Sequence, residues 1–174
     1  MKILFVGGGS LGPVTPLLAT IRALKRLNSK VECVWVGTPA GPEQGLIEAE
    51  HIPFFSVAVA KWPRYPSIAW LTFPWHWLRV RLQARSLMSK VNPKAVITVG
   101  GFTAVPLIQA AAARRIPCFT HQLDLEPGLT NRLIARHCLS ITTSFEYAKR
   151  PFGEGVQDEP APTPVRYTLK DLPR

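Results

Sequence analysis

The chain has 174 residues, 47% of them hydrophobic and 18% charged. That length suits one domain with its own core, and the composition excludes wholesale disorder. No apolar run reaches the roughly 18 residues that a membrane span requires, and the net charge of +10 favours an anionic partner: nucleic acid, an acidic lipid surface or a phosphorylated ligand.

Ile3 to Val6 is a short apolar run, the pattern of a strand buried on both faces, and Gly7-Gly8-Gly9 ends it. Leu17, Leu18, Ile21, Leu24 and Leu27 follow at helical spacing, with Arg22, Lys25 and Arg26 on the other face. A second strand is expected over Val31 to Val36, a short helix over Glu43 to Glu50 and a third strand over Phe54 to Val59. A stretch rich in Pro and Trp leads to a basic helix from about Trp77 to Lys90. Ala95 to Val99 reads as a strand, Val105 to Arg115 as an Ala-rich helix and Pro117 to Thr120 as a strand. Leu129 to Arg136 is a further helix and Leu139 to Thr143 a further strand. Strands alternating with helices imply βαβ units, hence an α/β fold: a Rossmann-like, doubly wound parallel sheet with helices on both faces. This domain is expected to span 1–152, and the segment 153–174, with Pro160, Pro162 and Pro164, to be a Pro-rich tail or the start of a linker.

Cys33, Cys118 and Cys138 are widely spaced and odd in number, which suits buried, reduced thiols rather than a disulfide framework or a metal pair. No metal and no cofactor is expected. The Met1 to Val6 start resembles a signal peptide only briefly, because its apolar run stops at Gly7.

Three polar or glycine-rich turns stand at the carboxyl ends of expected strands. Gly7 to Gly12 lies between a strand and a helix, where backbone N–H groups and a helix N-terminus can face a phosphate. It lacks the Lys-Ser/Thr of a Walker A loop, and Val34 to Thr38 offers no acidic residue for a nicotinamide cofactor's ribose. Gly100-Gly101-Phe102-Thr103 repeats the same logic after the fourth strand. His121-Gln122-Leu123-Asp124, followed by Gly128 and Asn131, gathers polar side chains after the fifth. The alternatives are turns without a ligand for the first two and helix capping for Asp124 and Asn131.

Together these segments resemble MurG-type glycosyltransferases. Gly8-Gly9-Ser10-Leu11-Gly12-Pro13-Val14-Thr15-Pro16 is similar to that family's GGTGGHxxP loop, and Gly100-Gly101-Phe102 to its GGF turn. His121 to Asn131 is close to its HESDxxPGLAN segment, Ser144-Phe145-Glu146 to SFE, and Pro164-Val165-Arg166 to the end of GNPVR. The resemblance runs over about residues 1–170 and implies the amino-terminal half of a two-domain GT-B enzyme. It implies transfer of N-acetylglucosamine from UDP-N-acetylglucosamine to an undecaprenyl-pyrophosphate-linked muramoyl-pentapeptide, in peptidoglycan synthesis. Most of the donor site would belong to a carboxyl-terminal half outside this sequence, so the chain is expected to be inactive alone. The implied substrate-binding positions are Gly9, Ser10, Leu11, Gly12, Gly100, Gly101, Phe102, Asp124, Asn131 and Arg166. Leu11 replaces a family Gly, Pro13 the family His, Val99 a frequent Lys, and Pro162-Thr163 a Gly-Asn. Pro13 has no titratable group, which leaves Asp124 and His121 as the local candidates for a general base.

Between Glu50 and Asp124 there is no acidic residue, whereas nine Lys or Arg lie there. Trp62, Trp70, Trp75 and Trp77 fall within this window, beside Lys61, Arg64, Arg79, Arg81 and Arg85. Tryptophan favours the headgroup level and cations favour an anionic leaflet, so a peripheral patch on the cytoplasmic face of the cell membrane is expected. A buried aromatic cluster is the alternative. No nucleic-acid motif is present, and no nucleic-acid partner is expected. The second functional expectation is a non-catalytic, membrane-anchoring, acceptor-binding subunit of a two-chain glycosyltransferase.

Overall fold

The computed structural model describes residues 1–58, 69–146, 151–153, 156 and 158–165, with the side chains of 69–72 excepted. Twelve elements alternate along these residues: β1 (Lys2–Val6), α1 (Val14–Leu27), β2 (Glu32–Gly37), α2 (Glu43–Ala49), β3 (Phe54–Ser56), α3 (Ala69–Val91), β4 (Ala95–Thr98), α4 (Ala104–Ala112), β5 (Cys118–Gln122), α5 (Leu129–Ala135), β6 (Ser140–Thr143) and β7 (Asp158–Pro160). The strands form one sheet in the order β3-β2-β1-β4-β5-β6-β7, and every pairing is parallel. The expected doubly wound α/β fold is therefore present.

The period-2 alternation of β1 separates two cores. Leu4 and Val6 face α3, α4 and α5 with Val80, Met88, Leu107, Ile108 and Ile134. Ile3 and Phe5 face α1 and α2 with Leu17, Leu18, Ile21 and Ile47. A strand covered on both faces needs apolar side chains on both, which is why β1 reads as an unbroken hydrophobic run. The three thiols belong to this packing: Cys33 and Cys118 are buried and Cys138 half-buried. Desolvation pushes the Cys118 and Cys138 thiols up to about 12.

Three boundaries differ from expectation. α3 starts at Ala69, well before Trp77, and carries Pro74 inside it. Pro74 is the sixth residue of the helix, so it lacks the N–H that would bond the Trp70 carbonyl and its ring crowds that carbonyl, yet the helix runs on through it. β3 ends at Ser56; Val59 lies outside the described residues. Asp158–Pro160, in the segment expected to be a tail or linker, instead pairs with β6 as the edge strand. Pro160 is tolerated there because an edge strand has one side without ladder partners.

Candidate functional site

The strand order reverses direction between β1 and β4, and in open parallel sheets ligands bind beyond the carboxyl ends of the strands at such a switch point. The turns that follow β1, β2 and β4 meet there around a cleft of about 570 Å³. Gly8, Gly9 and Ser10 form one wall, Thr38 to Pro42 another, and Gly101, Phe102 and Thr103 a third.

The geometry of these turns follows from a few hydrogen bonds. Thr98, buried at the end of β4, donates its hydroxyl to the Val6 carbonyl at 2.8 Å and accepts the Gly100 N–H at 3.0 Å. It thereby ties the β4 turn to the end of β1. Gly100 has a φ of +107°, and a Cβ there would sit 2.5 Å from Asn131 Oδ1, so both backbone conformation and space require glycine. On the other side of β1, the Trp35 indole donates to the Gly7 carbonyl at 2.8 Å.

Glu43, the first residue of α2, is fully buried behind the first two turns. Its Oε1 accepts the Thr38 N–H and the Thr38 hydroxyl, each at 2.7 Å, and the Gly9 N–H at 3.3 Å. Burial alone would raise this carboxyl's pKa. The hydrogen bonds from Thr38, from its own N–H and from Gly9 outweigh burial and hold it below the usual carboxylate range. Glu43 Oε2 is buried without a hydrogen-bond partner. Sequence reasoning placed Glu43 at a helix start and, with Gly37-Thr38, among positions where the MurG-type family has similar residues, but gave it no role in a site. The signal that could have found it is Gly37-Thr38 and Gly41 around it: a Cβ on Gly8, Gly37 or Gly41 would come within 2.4, 2.7 or 2.3 Å of its carboxylate.

The third polar segment is folded inward. Asn131 is buried, and its amide donates to Gln122 Oε1. Gln122 in turn donates to the Asp124 and Glu126 carbonyls at 2.9 and 3.2 Å. These two amides shape the loop from Leu123 to Gly128. His121 is also buried, with Nδ1 at 2.7 Å from the Thr142 hydroxyl and Nε2 at 3.0 Å from the Ser144 hydroxyl. Desolvation lowers its pKa.

The expected site residues therefore separate. Gly9, Ser10, Gly101 and Phe102 line the cleft, and Gly100 lies beneath it against Asn131. Leu11 and Gly12 are exposed in the same loop. Asp124 is exposed on the loop that Gln122 holds. Asn131 is a buried support for that loop rather than a cleft-lining residue, because its amide faces Gln122. His121 has both ring nitrogens engaged by the Thr142 and Ser144 hydroxyls and is not among the described residues that line the cleft. Arg166 lies outside the described residues. The β2–α2 turn, Thr38 to Pro42, is the wall to which sequence reasoning gave no site role, although Gly37-Thr38 stands where the family has similar residues.

No basic side chain lines the cleft among the described residues. What it offers an anion is backbone N–H groups and the starts of α1 and α4, neither of which has an acidic residue in its first turn. Among the described residues no group of His, Cys, Asp and Glu is arranged to hold a metal.

Of the expected membrane residues, Trp75 is 75% exposed, and Arg79, Arg81 and Arg85 are exposed on the same helix. Leu78 and Leu82 are exposed beside them. Trp77 differs: it is partly buried against the core and stacks on Phe73 with ring centroids 6.1 Å apart. It falls to the buried-cluster alternative because its position on α3 turns toward the sheet. Lys61, Trp62 and Arg64 lie outside the described residues, as does the Trp70 side chain. No described helix is long and apolar enough to cross a membrane.

Comparison with known proteins bears on the whole arrangement. The chain is 34% identical over 168 residues to the UDP-N-acetylglucosamine–N-acetylmuramyl-(pentapeptide) pyrophosphoryl-undecaprenol N-acetylglucosamine transferase of Clostridium perfringens, covering 97% of this chain and 46% of the relative. It is 36% identical over 170 residues to the Clostridium kluyveri enzyme of the same name, covering 98% and 47%. The chain thus spans about half the length of the curated relatives it matches. Among solved structures, Acinetobacter baumannii MurG superposes with a TM-score of 0.74 at 22% identity, over 98% of this chain and 47% of that one, a likeness of fold. A family model, the glycosyltransferase family 28 N-terminal domain, matches residues 3–143, from β1 to the end of β6. With the parallel sheet and both glycine turns inside that match, the chain belongs to glycosyltransferase family 28 and carries its N-terminal domain.

Proposed function

We propose that this chain is the acceptor-side domain of a MurG-like enzyme that transfers N-acetylglucosamine from UDP-N-acetylglucosamine to a lipid-linked muramoyl-pentapeptide. The observation that carries the reading is the pair of glycine turns at the switch point, inside a family match that covers most of the chain. The acceptor's pyrophosphate would meet backbone N–H groups of the Gly9 to Gly12 loop and the Gly101 turn, a preorganised arrangement that costs little reorganisation. UDP-N-acetylglucosamine would be held mainly by a carboxyl-terminal domain, with Ser10, Leu11, Gly12, Asp124 and Arg166 reaching it from this side. No cofactor or metal is part of this reading. Inverting transfer needs a base for the attacking hydroxyl, and Pro13 stands where the family has its His. Asp124 is then the remaining local carboxylate from the sequence reading.

The domain would work on the cytoplasmic face of the cell membrane. Exposed Trp75, Leu78 and Leu82 supply apolar contact, and Arg79, Arg81 and Arg85 attract an anionic leaflet. A second reading, a non-catalytic acceptor-binding subunit paired with a separate donor-binding chain, is favoured by two observations. Pro13 stands where the family has its imidazole, and His121 is buried against Thr142 and Ser144 rather than among the described residues that line the cleft.

The test is transfer of labelled N-acetylglucosamine to a soluble acceptor analogue. It is run with this chain alone and with a UDP-sugar-binding half supplied as a separate polypeptide. Turnover only in the mixture supports the acceptor-side reading. Acceptor binding without turnover in the mixture favours the non-catalytic subunit, and no acceptor binding rejects both.

A further inference from the structure

Beside the polar cleft lies a second concavity of about 450 Å³ between α3, α4 and α5. Phe73 and Trp77 of α3, Val105 of α4, and Leu129 and Leu133 of α5 line it, and among its described lining residues only Gln109 is polar. Val105 is buried as its floor, while Leu129 and Leu133 are 59% and 45% exposed on its rim. Phe102 borders both this groove and the switch-point cleft. The turn that shapes the polar site is thus also the end wall of an apolar one. Pro74 also lines the groove, and the adjacent Trp75 is exposed.

We propose that this groove binds an isoprenoid chain, the first units of a polyprenyl ligand whose anionic head lies in the cleft across Phe102. The assignment rests on the reading of the cleft as a site for a lipid-linked acceptor and adds to it where the lipid goes. Two features select this occupant. The groove is almost wholly apolar and adjoins a polar cleft through one side chain, which suits a single molecule with an uncharged tail and a charged head. Phe73, Pro74 and Trp77 of its lining belong to the same helix as exposed Trp75, Arg79, Arg81 and Arg85, so a chain leaving it along α3 would run toward the surface fitted to a membrane. A protein helix or a second copy of the chain would fill the groove without needing its junction with the cleft.

The experiment uses three probes on the whole chain: farnesol, farnesyl pyrophosphate and inorganic pyrophosphate, each followed by calorimetry and by amide shifts in NMR spectra. Farnesol is expected to saturate at one equivalent and to shift the amides of Phe102, Val105, Leu129 and Leu133. Leu129→Glu/Leu133→Glu places carboxylates on the rim and is expected to weaken farnesol by about tenfold or more. The same substitutions should erase the advantage of farnesyl pyrophosphate over inorganic pyrophosphate and leave inorganic pyrophosphate unchanged. Circular dichroism checks the variant's fold, and the wild-type amide shifts locate the probe without any variant. Absence of saturable farnesol binding, or shifts confined to other residues, overturns the proposal. A concentration-dependent dimer broken by the same substitutions, with no farnesol bound, overturns it in favour of self-association. Farnesol bound in the groove with neither pyrophosphate probe binding the cleft supports the groove and rejects the headgroup reading.

Discussion

Two buried titratable residues report on the site region in different pH windows. Glu43 is held below the ordinary carboxylate value because hydrogen bonds from Thr38 and Gly9 outweigh its burial. A depressed carboxyl contributes stability that is fully present above its unfolded value, about 4.3, and lost as pH falls through its folded value. Glu43→Gln should therefore lose about 1 kcal/mol at neutral pH, since it replaces charge-assisted bonds by neutral ones, and should flatten the acid limb. Glu43→Ala, which strands the Thr38 and Gly9 donors, should lose about 1–3 kcal/mol. Urea denaturation across pH 3–7 measures both. His121 behaves oppositely in register: burial lowers its pKa, so the unfolded chain takes up the proton first. Stability should begin to fall as pH drops below about 6.5, well before Glu43 titrates. His137, lowered by burial and by Arg136, contributes in the same window. His121→Asn and His137→Asn, made singly, apportion that loss; an unchanged profile in both would remove histidine from it. Gly100→Ala is a third residue-scale test, expected to cost roughly 1–3 kcal/mol because φ is +107° and the added Cβ would meet Asn131 Oδ1 at 2.5 Å.

At the scale of the element, α3 combines two jobs that its sequence blurs. Val80, Ala84, Leu87 and Met88 face the core, while Trp75, Leu78, Leu82, Arg79, Arg81 and Arg85 stay outside. Replacing Arg79, Arg81 and Arg85 by Gln should remove most of the salt-sensitive binding to anionic vesicles. Each cation contributes about 1 kcal/mol there, and the attraction decays over about 8 Å at physiological salt. Trp75→Ala/Leu78→Ala should weaken the salt-resistant part. Co-sedimentation with anionic and neutral vesicles at two salt concentrations separates the two, and equal binding to both vesicle types would refute the electrostatic share. The same helix shows where sequence reading fell short. A basic helix from about Trp77 to Lys90 was legible, but the Pro- and Trp-rich residues before it read only as a lead-in, whereas the helix already runs from Ala69 through Pro74. Trp77 likewise looked like its neighbours Trp75 and Trp70, because spacing alone did not tell which tryptophan turns to the sheet. β7 escaped notice for a related reason: Asp158-Glu159-Pro160 has no apolar pattern, and an edge strand can be held by backbone pairing to β6 alone.

For the whole molecule, topology converts local patterns into a site. The alternation of apolar runs and amphipathic helices was enough to read a doubly wound sheet, and the two glycine turns marked the carboxyl ends of β1 and β4. The wall from Thr38 to Pro42 was not legible, because it acts through backbone shape and a buried carboxylate rather than through a motif. Pro13 is where the whole-molecule reading is most exposed. It caps α1 in a helical conformation with no side-chain hydrogen bond, next to the loop that lines the cleft. If the family imidazole is the base that this protein lacks, Pro13→His should raise turnover of the chain paired with a UDP-sugar-binding half. General bases contribute roughly 10²–10⁴-fold, so even partial recovery is measurable. The gain should appear in kcat with little change in KM for the acceptor if, as proposed, the backbone of the Gly9 to Gly12 loop holds its pyrophosphate. It should also bring a rate that rises with pH through the imidazole's range, near 6.5, as the base loses its proton. A rate unchanged by Pro13→His, with acceptor binding intact, would show that proton removal does not limit this protein or that another group performs it. In the latter case Asp124→Asn should abolish the residual turnover that Pro13→His left untouched.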